Sequence, residues 1–230
     1  MTKLKFCGMT HVSHIVASTD AGADFIGLIF APSKRQVSPE KAKMILEEAR
    51  SLRPSLGQHP EVVGVFVNST NREINEVADY CSLDRVQLHG DERLEDCSTI
   101  ERPVIKVKRL PNGTISGADL RKLNEELDRI RARGYIAMFD TVSTGPYYGG
   151  TGQSLDWKTL GRLGVNHEFL LSGGLNPENV SLAIEQASPD GVDTSSGVET
   201  DGGKDISKIN AFARAVAIVD VRLQHLSRRN

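Results

Sequence analysis

The chain has 230 residues, a formal net charge of −2 and 25% charged residues. Such a length suits one barrel-type domain, and a charge so close to neutral creates no field that would attract nucleic acid or an anionic membrane. No run reaches the ~20 apolar residues of a membrane-spanning helix, the N-terminal MTKLKFCGMT lacks a signal-peptide core, and three scattered cysteines predict neither a disulfide framework nor a metal site. These properties favour a cytoplasmic enzyme.

Short apolar runs alternate with helical patterns eight times along the chain. The predicted strands are 4–8, 25–30, 62–67, 85–90, 104–110, 136–141, 169–173 and 191–196. Helical patterns lie between them at 11–23, 38–52, 71–81, 124–133, 176–187 and 205–219. Each strand is apolar through its first half, as expected for parallel strands buried on both faces. The alternation predicts an α/β fold, a single (β/α)8 TIM barrel over residues 1–230.

Two connections are longer than the others. Residues 51–61 join a helix to a strand and therefore belong to the bottom of the barrel, where loop length matters little for chemistry. Residues 141–157 follow strand six and belong to the top. This Gly-rich segment is either a lid that closes over a ligand or an ordinary surface connection, and composition does not separate the two.

The last two strands end in small, polar, Gly-containing turns. Gly173 and Gly174 follow strand seven, and Ser195, Ser196 and Gly197 follow strand eight. In a barrel of this class, two such turns form a phosphate cradle from backbone N–H groups, hydroxyls and a helix N-terminus. The turns therefore predict a phosphorylated small-molecule substrate.

Alternate residues of each strand point into a barrel, so parity assigns the inward side chains. We expect the following residues inside: Lys5 and Cys7 on strand one, Gln87 and His89 on strand four, Lys106 and Lys108 on strand five, Ile136, Met138 and Asp140 on strand six, and Asp193 on strand eight. The polar residues lie near the carboxyl ends of their runs. That end of the barrel is the catalytic face.

Cys7 and Asp140 lie on strands across the barrel mouth and form a candidate acid–base pair. A thiolate can accept a proton from carbon, and a carboxylic acid can donate one to oxygen. A thiol with an ordinary pKa near 8.5 needs a neighbouring cation or dipole to act as a base, and Lys5 is one candidate. The alternatives are a buried apolar role for Cys7 and a loop-capping role for Asp140.

Four other polar residues have predicted roles. Asp193 is expected to shape the site by hydrogen bonding, His89 to be a satisfied structural histidine, and Lys106 to pair with a carboxylate in the barrel core. Arg35 follows strand two, where its guanidinium would form a two-pronged contact with a substrate carboxylate. The alternative for Arg35 is a solvated loop charge.

Together these segments resemble the phosphoribosylanthranilate isomerase family along essentially the whole chain. The matching segments are 5–10, 21–42, 63–68, 86–92, 139–141, 148–157, 171–180 and 192–199. The resemblance implies a (β/α)8 barrel that converts N-(5-phospho-β-D-ribosyl)anthranilate to 1-(2-carboxyphenylamino)-1-deoxy-D-ribulose 5-phosphate. This reaction is an Amadori rearrangement without a cofactor, in tryptophan biosynthesis.

The resemblance also implies roles for particular residues. Cys7 matches the general base, Asp140 the general acid and Arg35 the residue that binds the substrate carboxylate, while the two Gly/Ser turns match the phosphate site. No obligate protein partner is expected.

Two alternatives remain beside this function. A bifunctional barrel isomerase that also acts in histidine synthesis would need a second phosphate cradle in the first half of the barrel. The strand ends VFVNST and QLHGDE carry no second Gly/Ser pair. A non-catalytic barrel that binds a phosphorylated ligand would not need both Cys7 and Asp140.

Overall fold

The computed structural model describes residues 1–52, 59–111, 116–141, 156–163 and 168–227. Within these ranges, eight parallel strands form a closed barrel in chain order, and β1 pairs with both β2 and β8. The strands are β1 Lys3–Cys7, β2 Phe25–Ile29, β3 Glu61–Phe66, β4 Arg85–Leu88, β5 Val104–Leu110, β6 Ile136–Thr141, β7 Phe169–Leu171 and β8 Gly191–Thr194. The predicted barrel is confirmed. That residues 1–230 form one domain stays a prediction.

Helices surround the barrel. Those described are α1 Val12–Asp20, α2 Pro39–Leu52, α3 Asn71–Cys81, α4 Gly117–Arg131, α5 Trp157–Leu160, α6 Val180–Ala187 and α7 Ile206–Ser227. Local sequence explains where α3 begins, because Thr70 and Glu73 form a reciprocal capping box. Between β4 and β5 lies a short 3-10 helix, Leu94–Cys97.

An antiparallel hairpin after β8 is absent from the sequence prediction. A 3-10 turn, Ser196–Val198, leads from β8 into β9 Glu199–Thr200, which pairs with β10 Gly203–Lys204. The hairpin precedes α7. It therefore lies directly downstream of the predicted phosphate turn.

Two apolar layers fill the molecule. The outer layer lies between strands and helices, and in it the rings of Phe6 and Phe212 pack edge to face at 5.7 Å. The inner layer fills the barrel below its mouth and consists of Phe25, Val63, Ile105, Val107, Met138 and Leu170. Because these side chains close the barrel interior, polar groups can gather only at its upper end.

The predicted inward face of β5 is wrong. Val107 lies opposite Met138 in the β5–β6 register and belongs to the inner layer. Lys106 and Lys108 therefore point outward, where Lys106 pairs with Glu92 at 2.6 Å and Lys108 pairs with a carboxylate of α4. The run VIKVKRL has polar residues on both faces near its end. Only its pairing with β6 therefore shows which of its residues point into the barrel.

The two long connections lie largely outside the described residues. Residues 142–155 lie outside them and make up most of the segment that was left open between a lid and a surface connection. Residues 53–58, in the middle of the lower connection, also lie outside them. Among the described helices, none is long and apolar enough to cross a membrane.

A substitution at Gly27 of β2 tests how closely β1 packs against β2. A Cβ atom added there would lie 2.7 Å from the Cys7 Sγ and 3.2 Å from the Cys7 Cα. We expect Gly27→Ala to lower the free energy of unfolding by about 1–3 kcal/mol, as overpacked core substitutions do. Denaturant unfolding measures the change.

The matched control is Gly117→Ala, in the first turn of α4, where an added Cβ would meet nothing within 4 Å. Because alanine favours helix, this variant should be neutral or more stable by up to ~1 kcal/mol. Equal stability of the two variants would contradict the close approach of β1 and β2.

Candidate active site

Polar side chains from six strands converge at the carboxyl end of the barrel. They are Lys5 and Cys7 from β1, Gln87 and His89 from β4 and the residue just beyond it, Arg109 from β5, Asp140 from β6, Ser172 just after β7, and Asp193 from β8. All except Arg109 are buried. Buried polar groups are costly unless they are paired or used, so this end of the barrel is the candidate active site.

Cys7 lies beside a buried ion pair. Lys5 donates from Nζ to Asp193 Oδ1 at 2.8 Å, and Ser172 donates from Oγ to Asp193 Oδ2 at 3.2 Å. Burial is the largest single influence and would lower the pKa of Lys5, but the charges of Asp193 and Cys7 and the hydrogen bonds to both residues together outweigh burial and raise the pKa. Lys5 is therefore a permanent cation next to Cys7.

The thiol of Cys7 is nevertheless protonated at neutral pH. Burial raises the pKa of Cys7, the charge of Lys5 opposes that rise, and the net shift is upward. The predicted help from Lys5 is thus present, but Asp193 offsets part of it because its negative charge disfavours the thiolate.

Asp140 is held at the top of β6 between a backbone donor and a histidine. Its Oδ1 accepts from Thr141 N at 2.7 Å, and its Oδ2 lies 3.1 Å from His89 Nε2. The His89 ring is oriented from behind by Gln87, whose Nε2 lies 3.0 Å from Nδ1. If the Gln87 amide donates to Nδ1, the ring hydrogen is on Nε2 and faces Asp140.

His89 is not the satisfied structural histidine that the sequence analysis favours. Its Nε2 is buried and makes no aligned hydrogen bond within the described part of the chain, although it lies at ion-pair distance from Asp140. The QLHG pattern carries no signal for this contact, because it depends on how β4 faces β6 across the barrel mouth.

The wrong inward face predicted for β5 also left Arg109 out of the predicted site. Because β5 has the opposite parity to the prediction, Arg109 faces inward and lies opposite Asp140 in the strand register. Its guanidinium contacts Asp91 in the loop after β4. The inward cation at the end of β5 is thus an arginine and not a lysine.

The turn after β7 needs glycine at two successive positions. Gly173 and Gly174 have φ angles of +90° and +67°, in the left-handed region. Neither backbone N–H finds an acceptor among the described residues. Asn179 braces the turn by donating from Nδ2 to the Gly174 carbonyl at 3.0 Å. Successive backbone donors held in such a turn are a geometry in which proteins bind anions.

The turn after β8 packs directly on the turn after β7. Thr194 donates from Oγ1 to the Leu175 carbonyl at 2.7 Å, and a Cβ atom added at Gly197 would lie 1.9 Å from that same oxygen. Ser195 donates from Oγ to the Cys7 carbonyl at 3.0 Å. The two predicted turns therefore form one surface, and it adjoins β1.

Arg35 is not a solvated loop charge. Its Nε and Nη2 contact the two carboxylate oxygens of Glu199 at 2.6 and 2.7 Å. A Cβ atom added at Gly8 would lie 2.6 Å from Arg35 Cδ, so the arginine crosses directly over the residue that follows Cys7. Arg35 thus lies at the mouth, as predicted, but its partner here is an internal carboxylate.

Glu199 and Lys204 are two residues near the mouth that were not predicted from the sequence. Lys204 donates to Glu199 Oε1 at 2.8 Å and to the Ser195 carbonyl at 2.8 Å. The segment ETDGGK between β8 and α7 has the composition of a hairpin turn, and that signal could have drawn attention to its flanking charges. Within the described residues, no cluster of three His, Cys, Asp or Glu side chains could hold a metal ion.

A closed eight-stranded parallel barrel with its polar residues collected at the carboxyl end defines the class of (β/α)8-barrel enzymes. Residues 4–215 match the family described as N-(5'phosphoribosyl)anthranilate (PRA) isomerase. The chain belongs to this family of isomerases, which act in tryptophan biosynthesis.

Individual relatives agree along nearly their whole length. The N-(5'-phosphoribosyl)anthranilate isomerase of Dehalococcoides mccartyi is 42% identical over 220 residues, which are 96% of this chain and 98% of the relative. The crystal structure of phosphoribosyl anthranilate isomerase from Thermotoga maritima has a TM-score of 0.78 and 36% identity, and covers 94% of this chain and 99% of its own.

A further solved isomerase of this family contains a ligand. It is phosphoribosyl anthranilate isomerase in complex with reduced 1-(o-carboxyphenylamino)-1-deoxyribulose 5-phosphate. Its TM-score is 0.73 at 34% identity, and the match covers 94% of this chain and 99% of that one.

A substitution at Gly173 tests whether the turn after β7 must pack closely against Asp140. A Cβ atom added at Gly173 would lie 3.0 Å from Asp140 Oδ1 and 2.9 Å from Thr141 Cγ2. We expect Gly173→Ala to lower kcat at least ~10-fold, because a displacement of about 1 Å at reacting groups costs this much or more. Steady-state kinetics measure the loss.

Gly22→Ala is the matched control, since Gly22 has a φ of +83° and an added Cβ there would meet nothing within 4 Å. Both variants carry a backbone strain of roughly 1–2 kcal/mol, but only one of them crowds Asp140. Equal kcat values for the two variants would show that a Cβ atom at Gly173 does not disturb Asp140.

The raised pKa of Cys7 is open to direct titration. The alkylation rate of a thiol follows its thiolate fraction, so the rate at Cys7 should still be rising at pH values where an ordinary cysteine, with a pKa near 8.5, has levelled off. Peptide mapping after timed exposure to iodoacetamide at pH 6–10 gives the midpoint.

The midpoint is the relevant quantity because restricted access lowers the absolute rate without moving it. The same peptide alkylated in the denatured chain supplies the reference. A folded-state midpoint at or below that reference would show that Lys5 outweighs burial, contrary to the expected direction.

Proposed function

We propose that the chain converts N-(5-phospho-β-D-ribosyl)anthranilate to 1-(2-carboxyphenylamino)-1-deoxy-D-ribulose 5-phosphate by an Amadori rearrangement. Asp140 is the general acid and Cys7 the general base. The observation that carries the proposal is that a thiol and a carboxyl group are both buried and both face inward at the mouth of the barrel. The ligand described for the solved relative, a reduced form of this product, supports the substrate class.

The first step opens the ribose ring. Protonated Asp140 donates its proton to the ring oxygen as the bond between that oxygen and C1 breaks, and the nitrogen lone pair forms a C1=N Schiff base. His89 Nε2, 3.1 Å from Asp140 Oδ2, is placed to exchange a proton with the acid between turnovers.

The second step moves the oxidation state from C1 to C2. The fraction of Cys7 that has ionised to the thiolate, its proton released to solvent, removes the proton from C2. The electron pair shifts through C1 to neutralise the nitrogen, which gives an enolamine. Tautomerisation then yields the C2 ketone and a reduced C1. Because one carbon is oxidised as its neighbour is reduced, the reaction needs no external redox cofactor.

Lys5 supports the base form of Cys7. Its cation is fixed beside the thiol by Asp193, so charge that develops on sulfur meets a preorganised positive group. Asp193 acts on the site in this account by holding Lys5, which fits a site-shaping role.

The two ends of the substrate have separate binding groups. Arg35 faces the anthranilate carboxylate, and the N–H groups of Gly173 and Gly174 together with the turn of Ser195, Ser196 and Gly197 receive the phosphate. Anchoring both ends leaves C1 and C2 between the acid and the base, so positioning contributes to the rate.

Location and assembly follow from the chemistry of the substrate. A phosphorylated carboxylate does not cross a membrane unaided, so we infer that the enzyme works in the cytoplasm, where such intermediates are made. All the proposed groups come from one chain, and no obligate protein partner is proposed.

The acid–base assignment is tested by two substitutions. We expect Cys7→Ala and Asp140→Asn each to lower kcat by ~10²–10⁴-fold, the usual worth of a general acid or base. The assay follows the loss of anthranilate-type fluorescence with phosphoribosylanthranilate generated in situ. Cys81→Ala is the control, because Cys81 is equally buried but ends α3, away from the mouth.

Each other outcome has a definite meaning. Near-normal turnover by Cys7→Ala or Asp140→Asn would refute the role of that residue. A folded wild-type chain that binds the ligand without turnover would favour the non-catalytic barrel. Turnover of the aminoimidazole substrate of histidine synthesis would favour the bifunctional isomerase.

A further inference from the structure

Arg35 and Glu199 form a side-on ion pair that joins the loop after β2 to the hairpin after β8. Both carboxylate oxygens are engaged, at 2.6 Å from Nε and 2.7 Å from Nη2. The exposed fractions of the side chains are 21% for Arg35 and 9% for Glu199, so solvent screens the pair only in part. Such two-pronged contacts orient a guanidinium plane as well as stabilise it.

Lys204 holds Glu199 from the other side. Its side chain is 2% exposed, and Nζ donates to Glu199 Oε1 at 2.8 Å, to the Ser195 carbonyl at 2.8 Å and to Ser195 Oγ at 3.2 Å. Burial is the largest single influence and would raise the pKa of Glu199, but the hydrogen bonds and charges of Arg35 and Lys204 together outweigh burial and lower the pKa. Glu199 therefore remains an anion at neutral pH.

The Glu199 contact decides which edge of Arg35 is available. With Nε and one Nη2 hydrogen turned toward Glu199, the Nη1 group and the second Nη2 hydrogen are left for a ligand, and Nη1 has no partner among the described residues. Two cations and one anion leave this cluster with a net charge of +1. A second carboxylate is therefore still attracted to it.

We propose that Glu199 is a positioning residue for substrate recognition, which holds the Arg35 guanidinium in the orientation that meets the substrate carboxylate, while Lys204 fixes Glu199 to the phosphate turn at Ser195. This inference rests on the proposed function, in which Arg35 binds the anthranilate carboxylate. It assigns roles to two residues of the hairpin after β8 that touch no reacting atom.

The cluster also links the two binding ends of the substrate. Lys204 connects Glu199 to Ser195, and the Ser195 hydroxyl donates to the Cys7 carbonyl at 3.0 Å. The carboxylate-binding arginine, the phosphate turn and the strand that carries the base are thus held by one continuous set of polar contacts. These contacts connect the position of Arg35 to that of the phosphate turn.

Glu199→Gln tests the proposal because it keeps the shape and removes the charge. A glutamine cannot accept from both guanidinium nitrogens with its two terminal atoms, so Arg35 loses its fixed orientation. We expect KM to rise about tenfold, equivalent to ~1.4 kcal/mol of binding, with kcat within about twofold of wild type. Glu76→Gln, which breaks the exposed pair with Arg72, is the control and should leave KM unchanged.

A double-mutant cycle separates this role from a merely structural one. Arg35→Ala should itself raise KM, and adding Glu199→Gln to Arg35→Ala should raise it no further, because Glu199 acts through Arg35. Independent, additive effects on KM would overturn the proposal. So would an unchanged or lowered KM in Glu199→Gln, which would mean that Glu199 competes with the substrate.

If Glu199→Gln does not fold, Glu199→Asp serves instead, since its carboxylate is one methylene shorter. Its KM should rise by less than tenfold, and a wild-type KM would overturn the inference. Failure of the proposed function is distinguishable, because it appears as activity retained in Cys7→Ala or Asp140→Asn, whatever the KM of the Glu199 variants.

Discussion

The buried ion pair of Lys5 and Asp193 is the contact on which the rest of the mouth depends. The two residues lie opposite each other in the register of β1 and β8, where the barrel closes. Burying two charges costs several kcal/mol for each ion, and only close pairing and further hydrogen bonds offset this cost. The pair therefore requires the barrel to close in one register, and that register carries Cys7 to the mouth.

The same closure determines the electrostatics of the thiol. Cys7 is adjacent to a cation, but the cation is shared with Asp193, and burial dominates the pKa. Burial therefore keeps the Cys7 thiol largely protonated at neutral pH, and a protonated thiol reacts more slowly with alkylating agents and oxidants than a thiolate does. Asp140 stands in a different environment, between the Thr141 amide and His89, so the two groups are suited to opposite halves of a proton transfer.

Much of this arrangement can be predicted from sequence because it is local. Residues close in sequence are enough to predict three features. These are the apolar runs of strand length, the Gly-containing turns at 173–174 and 195–197, and the place of Arg35 after β2. The parity of β5 could not be predicted, since Lys106 and Arg109 are both polar and only the pairing with Met138 and Asp140 of β6 separates them. The pairing of Glu199 with Arg35 could not be predicted either, because the two residues are 164 positions apart in the chain.

The sequence by itself determined the (β/α)8 architecture, the family and the residues at the strand ends, because strand periodicity, turn chemistry and motif order are written along the chain. Only the tertiary structure decided which side chains meet. His89 faces Asp140. Lys5 interacts with both Asp193 and Cys7, and Arg35 is paired with Glu199. Each of these contacts joins elements distant in sequence, and its distance and direction depend on barrel closure, which no local pattern encodes.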